Sequence, residues 1–122
     1  MNEEITLAER SAREVFEDHL ELARQGDLQK DLERNVSEEI VLLTNFGIFR
    51  GHKGVREAAR LLAEEIPDAD FDYKSKLCHD KICFLEWTGD SANTFVDNGA
   101  DSFYIEAGKI RVQTIFYTVK KK

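Results

Sequence analysis

The sequence predicts an α+β domain in which helices come first and a mostly antiparallel sheet follows. In the first half of the chain, apolar residues recur at steps of three and four, as they do along one side of an amphipathic helix. Beyond Pro67 the step changes to two, which is typical of strands. The length of 122 residues fits one domain, so we expect a single domain over residues 1–122.

Two helices are predicted at the start of the chain. The first runs from Thr6 to Gln25 and ends at Gly26, a residue type that commonly terminates helices. Its apolar stripe comprises Ala8, Ala12, Val15, Phe16, Leu20 and Ala23. A short second helix is expected after Asp27, which can cap the first turn. It packs through Leu28, Leu32 and Val36.

A strand and a third helix follow. Residues 40–44 are β-branched and aliphatic, and they lead into a turn at 45–47 with a short return strand at 48–50. The third helix begins at Gly51 and stops at Pro67. Its apolar stripe comprises Val55, Ala58, Ala59, Leu62 and Ile66.

Two hairpins are predicted beyond Pro67. The first joins residues 71–77 to residues 82–88 through Asp80 and Lys81, and the second joins residues 101–106 to residues 110–119 through Ala107 and Gly108. The predicted partners in the first hairpin are Cys78 with Cys83, Leu77 with Phe84, and Ser75 with Glu86. Those in the second are Ile105 with Ile110, Phe103 with Val112, and Asp101 with Thr114. Residues 89–99 are rich in turn formers, and their register is not predicted.

Both faces of the second hairpin carry large apolar side chains. Phe103, Ile105, Ile110, Val112 and Phe116 are expected on one face, and Tyr104, Ile115, Tyr117 and Val119 on the other. An antiparallel sheet that faces solvent carries polar residues on its outer side. We therefore expect the helices to cover one face and a second copy of the chain to cover the other, in a homodimer through the sheet.

The charge balance disfavours two classes of partner. The net charge is −7, from 24 acidic and 17 basic residues, and such a surface repels phosphate backbones and anionic lipids. We expect no nucleic-acid partner and no membrane partner. The acidic N-terminus and the lack of a long apolar run predict a cytoplasmic protein. The chain has no nucleotide-binding loop, nucleophile elbow or zinc motif, so no cofactor and no metal are expected.

The two cysteines are expected to lie directly opposite each other in the first hairpin. Their Cα atoms would be about 4.5 Å apart, at the short limit for a disulfide. For a cytoplasmic protein we expect Cys78 and Cys83 to be reduced. A metal site that includes His79 is not expected, because His79 alternates to the opposite face of the strand.

Three segments, in this order and on these elements, resemble a known fold. They are Gly26-Asp27 at the end of the first helix, residues 51–58 at the start of the third, and residues 101–110 in the second hairpin. Together they resemble the nuclear-transport-factor-2-like superfamily, in its SnoaL-like and ketosteroid-isomerase-like branch. The resemblance implies a cystatin-like cone, in which three N-terminal helices pack in a strongly curved, mostly antiparallel sheet around an apolar pocket. The fold hosts isomerases, cyclases, hydrolases, dehydratases and non-catalytic modules.

Asp101 is the first candidate catalytic residue. It shares a predicted strand face with Phe103 and Ile105, and the resemblance implies the position of an acid/base aspartate in ketosteroid isomerase and SnoaL-like cyclases. A carboxyl group in an apolar site resists ionisation and can donate a hydrogen bond near neutral pH. The alternative is a strand-start aspartate that accepts hydrogen bonds from nearby backbone.

Glu86 and His19 are the other two catalytic candidates. Glu86 is predicted on the same face as Phe71, Tyr73, Leu77 and Phe84, where a carboxylate is either paired or functional. The alternative is that it reaches solvent or a lysine. His19 lies beside the apolar stripe of the first helix, and the resemblance implies the position of an oxyanion-binding tyrosine in ketosteroid isomerase. The alternative is a histidine of the core.

The segment Thr44-Asn45-Phe46-Gly47 departs from the isomerase pattern. The resemblance places Thr44 where ketosteroid isomerase has its aspartate base, and a threonine hydroxyl is not a base near neutral pH. We therefore expect no 3-oxosteroid isomerase activity. Two hypotheses remain. The chain is either a cofactor-independent acid/base enzyme acting on a small, apolar carbonyl or hydroxyl compound, or a non-catalytic module for ligand binding or dimerisation. The expected pocket walls are Phe46, Phe103, Phe116 and Trp87.

Overall fold

A computed structural model of the chain describes residues 3–122, and it describes the side chains from Thr6 onward. The helices are α1 (Glu3–Ala8), α2 (Ala12–Gln25), α3 (Leu28–Asn35) and α4 (Gly51–Glu65). The strands are β1 (Val36–Thr44), β2 (Gly47–Arg50), β3 (Asp70–His79), β4 (Ile82–Asp90), β5 (Thr94–Glu106), β6 (Lys109–Phe116) and β7 (Lys120–Lys121). Among these residues, no helix is both long enough and apolar enough to span a membrane.

The strands form one mixed sheet in the order β2-β1-β6-β5-β4-β3, and β7 pairs with the beginning of β5. β1 and β6 run parallel, and the other pairs that the structure describes are antiparallel. The sheet curves around the helices, because bulges interrupt four of its ladders. The prediction of an α+β cone with a strongly curved, mostly antiparallel sheet is confirmed.

The first predicted helix is divided in two. α2 begins after Ser11, whose hydroxyl accepts from the backbone N–H of Glu14 at 3.1 Å, while the Glu14 carboxylate accepts from the backbone N–H of Ser11 at 2.9 Å. This capping box starts a new helix within the predicted range of 6–25. The end of α2 is as predicted, since Gly26 has a left-handed φ of 71° and Asp27 caps α3.

The register of the first hairpin is confirmed near its turn. Cys78 pairs with Cys83, Leu77 with Phe84, and Ser75 with Glu86. A bulge at Lys74 then shifts the alternation, so that Tyr73 pairs with Trp87. Tyr73 and Phe71 consequently face the helices, whereas Glu86 lies on the outer face of the sheet and is exposed. The prediction that Glu86 shares a face with Phe71 and Tyr73 is wrong.

The register of the second hairpin is confirmed for Ile105 and Ile110 only. A bulge at Arg111 moves the remaining pairs by one residue, so that Phe103 pairs with Gln113 and Asp101 with Ile115. Gln113 therefore faces the helices, and Phe116 lies on the outer face with 50% of its surface exposed. The predicted pairs of Phe103 with Val112 and of Asp101 with Thr114 are wrong.

The segment before Asp101 is mostly strand. β5 begins at Thr94, and its register with β4 slips once, between the pairs Trp87–Gly99 and Gly89–Val96. The turn-forming composition of residues 89–99 thus corresponds to a short turn followed by a bulged strand.

The cysteine prediction is also corrected. Cys78 and Cys83 are joined by a disulfide, with their Cα atoms 4.1 Å apart. Their direct pairing across β3 and β4 brings the two sulfur atoms within bonding reach. Cys83 is fully buried in the core.

The core fills one end of the space between the helices and the sheet. Phe16 of α2 and Phe103 of β5 are almost completely buried, and their ring centroids lie 5.2 Å apart in an edge-to-face arrangement. Leu32, Ile40, Leu42, Ile105 and Ile110 belong to the same core and are almost completely buried. The side chains at the other end leave the space between helices and sheet unfilled.

Candidate functional site

A cavity of about 550 Å³ lies between the inner face of the sheet and helices α2, α3 and α4. Most of its wall is aliphatic. Leu20, Leu28, Leu42, Val55, Leu62, Ile66 and Leu85 are among the residues that form it. The polar and titratable side chains that line it are His19, Asp31, Thr44, Asp68, Tyr73, Asp101, Gln113 and Tyr117. An apolar cavity with a few polar groups is the usual form of a small-molecule site.

Asp101 is held in the cavity wall by two side-chain donors. Trp87 Nε1 donates to Asp101 Oδ1 at 3.0 Å, and Gln113 Nε2 donates to Asp101 Oδ2 at 3.2 Å. Burial raises the pKa of Asp101 to about 6, although these two hydrogen bonds and the nearby His19 act in the opposite direction. Both oxygens accept from side chains of neighbouring strands, as expected of a positioned group rather than of a local backbone cap.

His19 is paired with a carboxylate that the sequence analysis did not identify. Its Nδ1 lies 2.7 Å from Asp31 Oδ2, and Asn35 Nδ2 donates to Asp31 Oδ1 at 2.8 Å. Burial would lower the pKa of His19, but the charge and hydrogen bond of Asp31, together with the charges of Asp101 and Asp18, outweigh it, so the pKa is raised. The sequence of α3 does indicate that Asp31 has a buried partner. Asp31 and Asn35 occupy stripe positions together with Leu28 and Leu32, where a polar residue is buried and needs a partner.

Arg10 anchors the His19–Asp31 pair from behind. One Arg10 Nη donates to Asn35 Oδ1 at 2.9 Å, and the other donates to the carbonyl oxygens of Arg34 at 2.9 Å and Gly108 at 3.1 Å. The break between α1 and α2 is therefore bonded to the end of α3 and to the β5–β6 turn. Because Asn35 is held in this way, the orientation of the Asp31 carboxylate is restrained as well.

Four aromatic side chains form a continuous wall on one side of the cavity, which we call the aromatic wall: Phe71, Trp87, Tyr117 and Phe46. The ring centroids of Phe71 and Trp87 are 5.6 Å apart, those of Trp87 and Tyr117 are 5.6 Å apart, and those of Tyr117 and Phe46 are 5.1 Å apart. Phe46 and Phe71, at the two ends, are exposed to solvent, whereas Trp87 and Tyr117 between them are buried.

No protein-family model matches the sequence, and no curated protein matches it. Solved structures do match. A Mesorhizobium loti protein proposed to be a SnoaL-like polyketide cyclase is 15% identical with a TM-score of 0.67, over 88% of this chain and 100% of that chain. A nuclear-transport-factor-2-like protein from Burkholderia pseudomallei is 13% identical with a TM-score of 0.72, over 88% and 90%. TerC, crystallised with polyporic acid, is 11% identical with a TM-score of 0.70, over 88% and 91%.

The chain has the SnoaL-like fold. At these low identities the similarity establishes the architecture and leaves the chemistry of the cavity to be argued from the residues themselves.

Within this SnoaL-like fold, four of the seven predicted site residues line the cavity. They are His19, Asp101, Trp87 and Phe46. Phe103 lies in the core behind His19, with its ring centroid 5.4 Å from that of the imidazole. Glu86 and Phe116 lie on the outer face, because the bulges at Lys74 and Arg111 change which side chains turn inward.

Thr44 borders the cavity, but its hydroxyl is engaged elsewhere. Thr44 Oγ1 donates to the carbonyl oxygen of Gly47 at 3.0 Å and accepts from the backbone N–H of Phe46 at 2.9 Å. The side chain thus stabilises the β1–β2 turn. A hydroxyl held in this way does not replace the aspartate base of the isomerase pattern.

We predict that Gly99→Ala will displace the indole of Trp87. Trp87 lies directly across from Gly99, and a Cβ added there would stand 2.2 Å from Trp87 Cε2. We expect a loss of about 1–3 kcal/mol in unfolding free energy, as for an overpacked core, and a shift in the emission of the single tryptophan. Gly89→Ala is the matched control, since the added Cβ comes no closer than 3.0 Å to the mobile end of Ile66. Equal effects of the two substitutions would contradict the prediction.

Proposed function

We propose that the chain binds a small, largely apolar organic molecule in the cavity and acts on it by cofactor-independent general acid/base catalysis. Asp101 and His19 are the proposed proton-transferring groups. The observation that carries the proposal is that both line one apolar cavity, and each is held by partners of its own. Two titratable groups in separate environments are the usual arrangement for dividing acid and base roles.

Asp101 suits either role near neutral pH. With a pKa of about 6, it exchanges between a carboxylate that removes a proton and a carboxylic acid that returns one. The bonds from Trp87 and Gln113 orient its oxygens while leaving lone pairs free for a ligand.

His19 suits the complementary role. Because Nδ1 is bound to Asp31, Nε2 is the ring nitrogen that can meet a ligand. A carboxylate behind a histidine fixes the orientation of the ring and favours its protonated form. His19 is therefore proposed as the group that donates a proton or a hydrogen bond to a ligand oxygen.

The reaction types that suit these residues are isomerisation, cyclisation and dehydration. Each can proceed by removing a proton from carbon and protonating or releasing an oxygen, with no cofactor. The name of the Mesorhizobium loti protein is consistent with this class. A non-catalytic binding module is the second candidate, and the engaged hydroxyl of Thr44 favours it, because the position of the isomerase base carries no carboxylate.

The proton-transfer role of Asp101 can be tested without knowing the substrate. Nitrobenzisoxazole opens its ring when a base removes its C–H proton, and a carboxylate in an apolar site accelerates that step. We expect the wild-type protein to accelerate ring opening with an apparent pKa near 6, as its Asp101 ionises. Asp101→Asn is expected to remove this acceleration.

Glu86→Gln is the matched control, because it removes a carboxylate from the outer face of the sheet. It should leave ring opening unchanged. If wild type gives no acceleration although the compound quenches Trp87 fluorescence, the cavity binds ligands without acting as a base, and the second candidate holds.

The stability of the Asp101→Asn variant should depend on pH relative to wild type. The pKa of Asp101 is raised in the folded state, so folding favours the protonated carboxyl. Wild type therefore loses stability as the pH rises from 3.8, the usual pKa of an aspartate, through about 6, the pKa of Asp101 in the folded protein. Relative to wild type, the variant should gain about 2 kcal/mol between pH 4 and pH 7.5.

Urea denaturation of both proteins at the two pH values measures this difference. Groups that do not interact with Asp101 titrate alike in the two proteins and cancel, whereas His19, whose pKa the charge of Asp101 helps to raise, contributes part of the difference. A constant loss of about 1 kcal/mol at both pH values would instead identify Asp101 as a structural hydrogen-bonding group.

We also infer that two copies associate through the outer apolar face, defined as Leu77, Ile82, Phe84, Tyr104, Val112 and Phe116. Across the ladders Phe84 pairs with Leu77, and Tyr104 pairs with both Ile82 and Val112, which makes these five residues neighbours. Phe116 lies on the same face, opposite Ala100. Leu77 is 61% exposed and Ile82 is 52% exposed. A cluster of exposed apolar side chains of this kind is typical of an interaction surface.

We expect wild type to sediment as a dimer at micromolar concentration and Phe116→Glu to sediment as a monomer. The substitution places a charge in the self-facing patch, where two copies of it repel each other. Asn93→Glu, which adds the same charge at an exposed turn, is the control and should remain dimeric. A monomeric wild type would overturn the inference.

A further inference from the structure

We propose that the cavity recognises an organic cation, namely an apolar molecule whose protonated amine lies beside Asp101. This inference rests on the proposed function only in requiring that the cavity binds small apolar molecules. It adds the charge of the ligand, which follows from the side chains that line the cavity.

The charged groups of the lining are carboxylates and one imidazole. Among the described residues that line the cavity, none is a lysine or an arginine, whereas Asp31, Asp68 and Asp101 are acidic. His19 is paired with Asp31, so these two charges offset each other. An anionic ligand would lose its water and face Asp68 and Asp101, and the only cation of the described lining is His19, whose charge Asp31 already offsets.

Neither hydrogen-bond donor of Asp101 carries a positive charge. Its two oxygens accept from the neutral donors Trp87 and Gln113. Buried carboxylates are normally paired with a cation, and each carboxylate oxygen can accept a further hydrogen bond. A ligand ammonium group would supply both the missing charge and the missing donor.

The aromatic wall supplies the second element of cation recognition. Aromatic rings attract cations to their faces, and tryptophan does so most strongly. Trp87 belongs to the wall and also donates to Asp101, so the carboxylate and the rings are adjacent. Arg24 does not supply the cation, since its guanidinium stacks over the Tyr73 ring at 4.7 Å and is not part of the cavity lining.

Neutral carbonyl and hydroxyl compounds are the competing class of ligand. A set of size-matched compounds distinguishes a preference for cations from a preference for neutral ligands. Adamantane carrying an amine, a hydroxyl or a carboxylate on the same carbon presents one apolar cage with a positive, neutral or negative group. Binding at pH 7.5 can be measured by calorimetry and by the fluorescence of Trp87, the single tryptophan of the chain. We expect the amine to bind about tenfold more tightly than the alcohol, and the carboxylate to bind most weakly.

Two variants locate the preference. Asp101→Asn should bind the amine and the alcohol with equal affinity. Glu39→Gln, which removes an exposed carboxylate on β1, should keep the wild-type preference. Equal binding of amine and alcohol by wild type, tightest binding of the carboxylate, or an amine preference that survives Asp101→Asn would overturn the inference and leave the proposed function intact. Failure of all three compounds to bind would overturn both.

Discussion

The cavity depends on the bulges that bend the sheet. A regular strand would continue its alternation from end to end and pack flat against the helices. The extra residue at Lys74 turns Tyr73 and Phe71 inward, and the extra residue at Arg111 turns Gln113 inward. Each bulge therefore increases curvature, which opens space under the sheet, and also selects the side chains that line that space.

The polar groups of the cavity form two separately supported units. Asp101 is held by donors from β4 and β6, the strands on either side of its own. His19 is held by Asp31, Asp31 is held by Asn35, and Asn35 is held by Arg10. Since the first unit belongs to the sheet and the second to the helices, the packing of helices on sheet fixes how the two groups face one ligand. This division is what the proposed catalysis requires of the fold.

Desolvation is the common cause of the properties proposed for this site. The same burial that raises the pKa of Asp101 excludes water from a bound ligand and makes an unpaired charge costly. A cation beside Asp101 relieves that cost, whereas an anion increases it. The expected weak binding of a carboxylate ligand and the proposed preference for an amine ligand thus have the same cause.

The sequence by itself determined the elements whose signals are local. The end of α2 at Gly26, the cap at Asp27 and the paired residues next to the β3–β4 turn follow from backbone preferences and turn positions within a few residues. Asp101 and His19 were predicted as site residues because they accompany apolar residues at a regular spacing and because the resemblance implies their positions. Trp87 and Phe46 were predicted as pocket walls. The break before Ser11 also has a local cause, the capping box with Glu14. It was not predicted, because the apolar residues keep the same helical spacing on both sides of it.

Only the tertiary structure decided which side chains share the cavity. A bulge changes the phase of every residue beyond it, and the need for it arises from packing against helices that are distant in the sequence. For this reason Glu86 and Phe116 lie outside, Gln113 lies inside, and Asp31 reaches His19 from another helix. The alternation of residues along one strand does not reveal where the sheet bends, and the bending of the sheet creates the cavity.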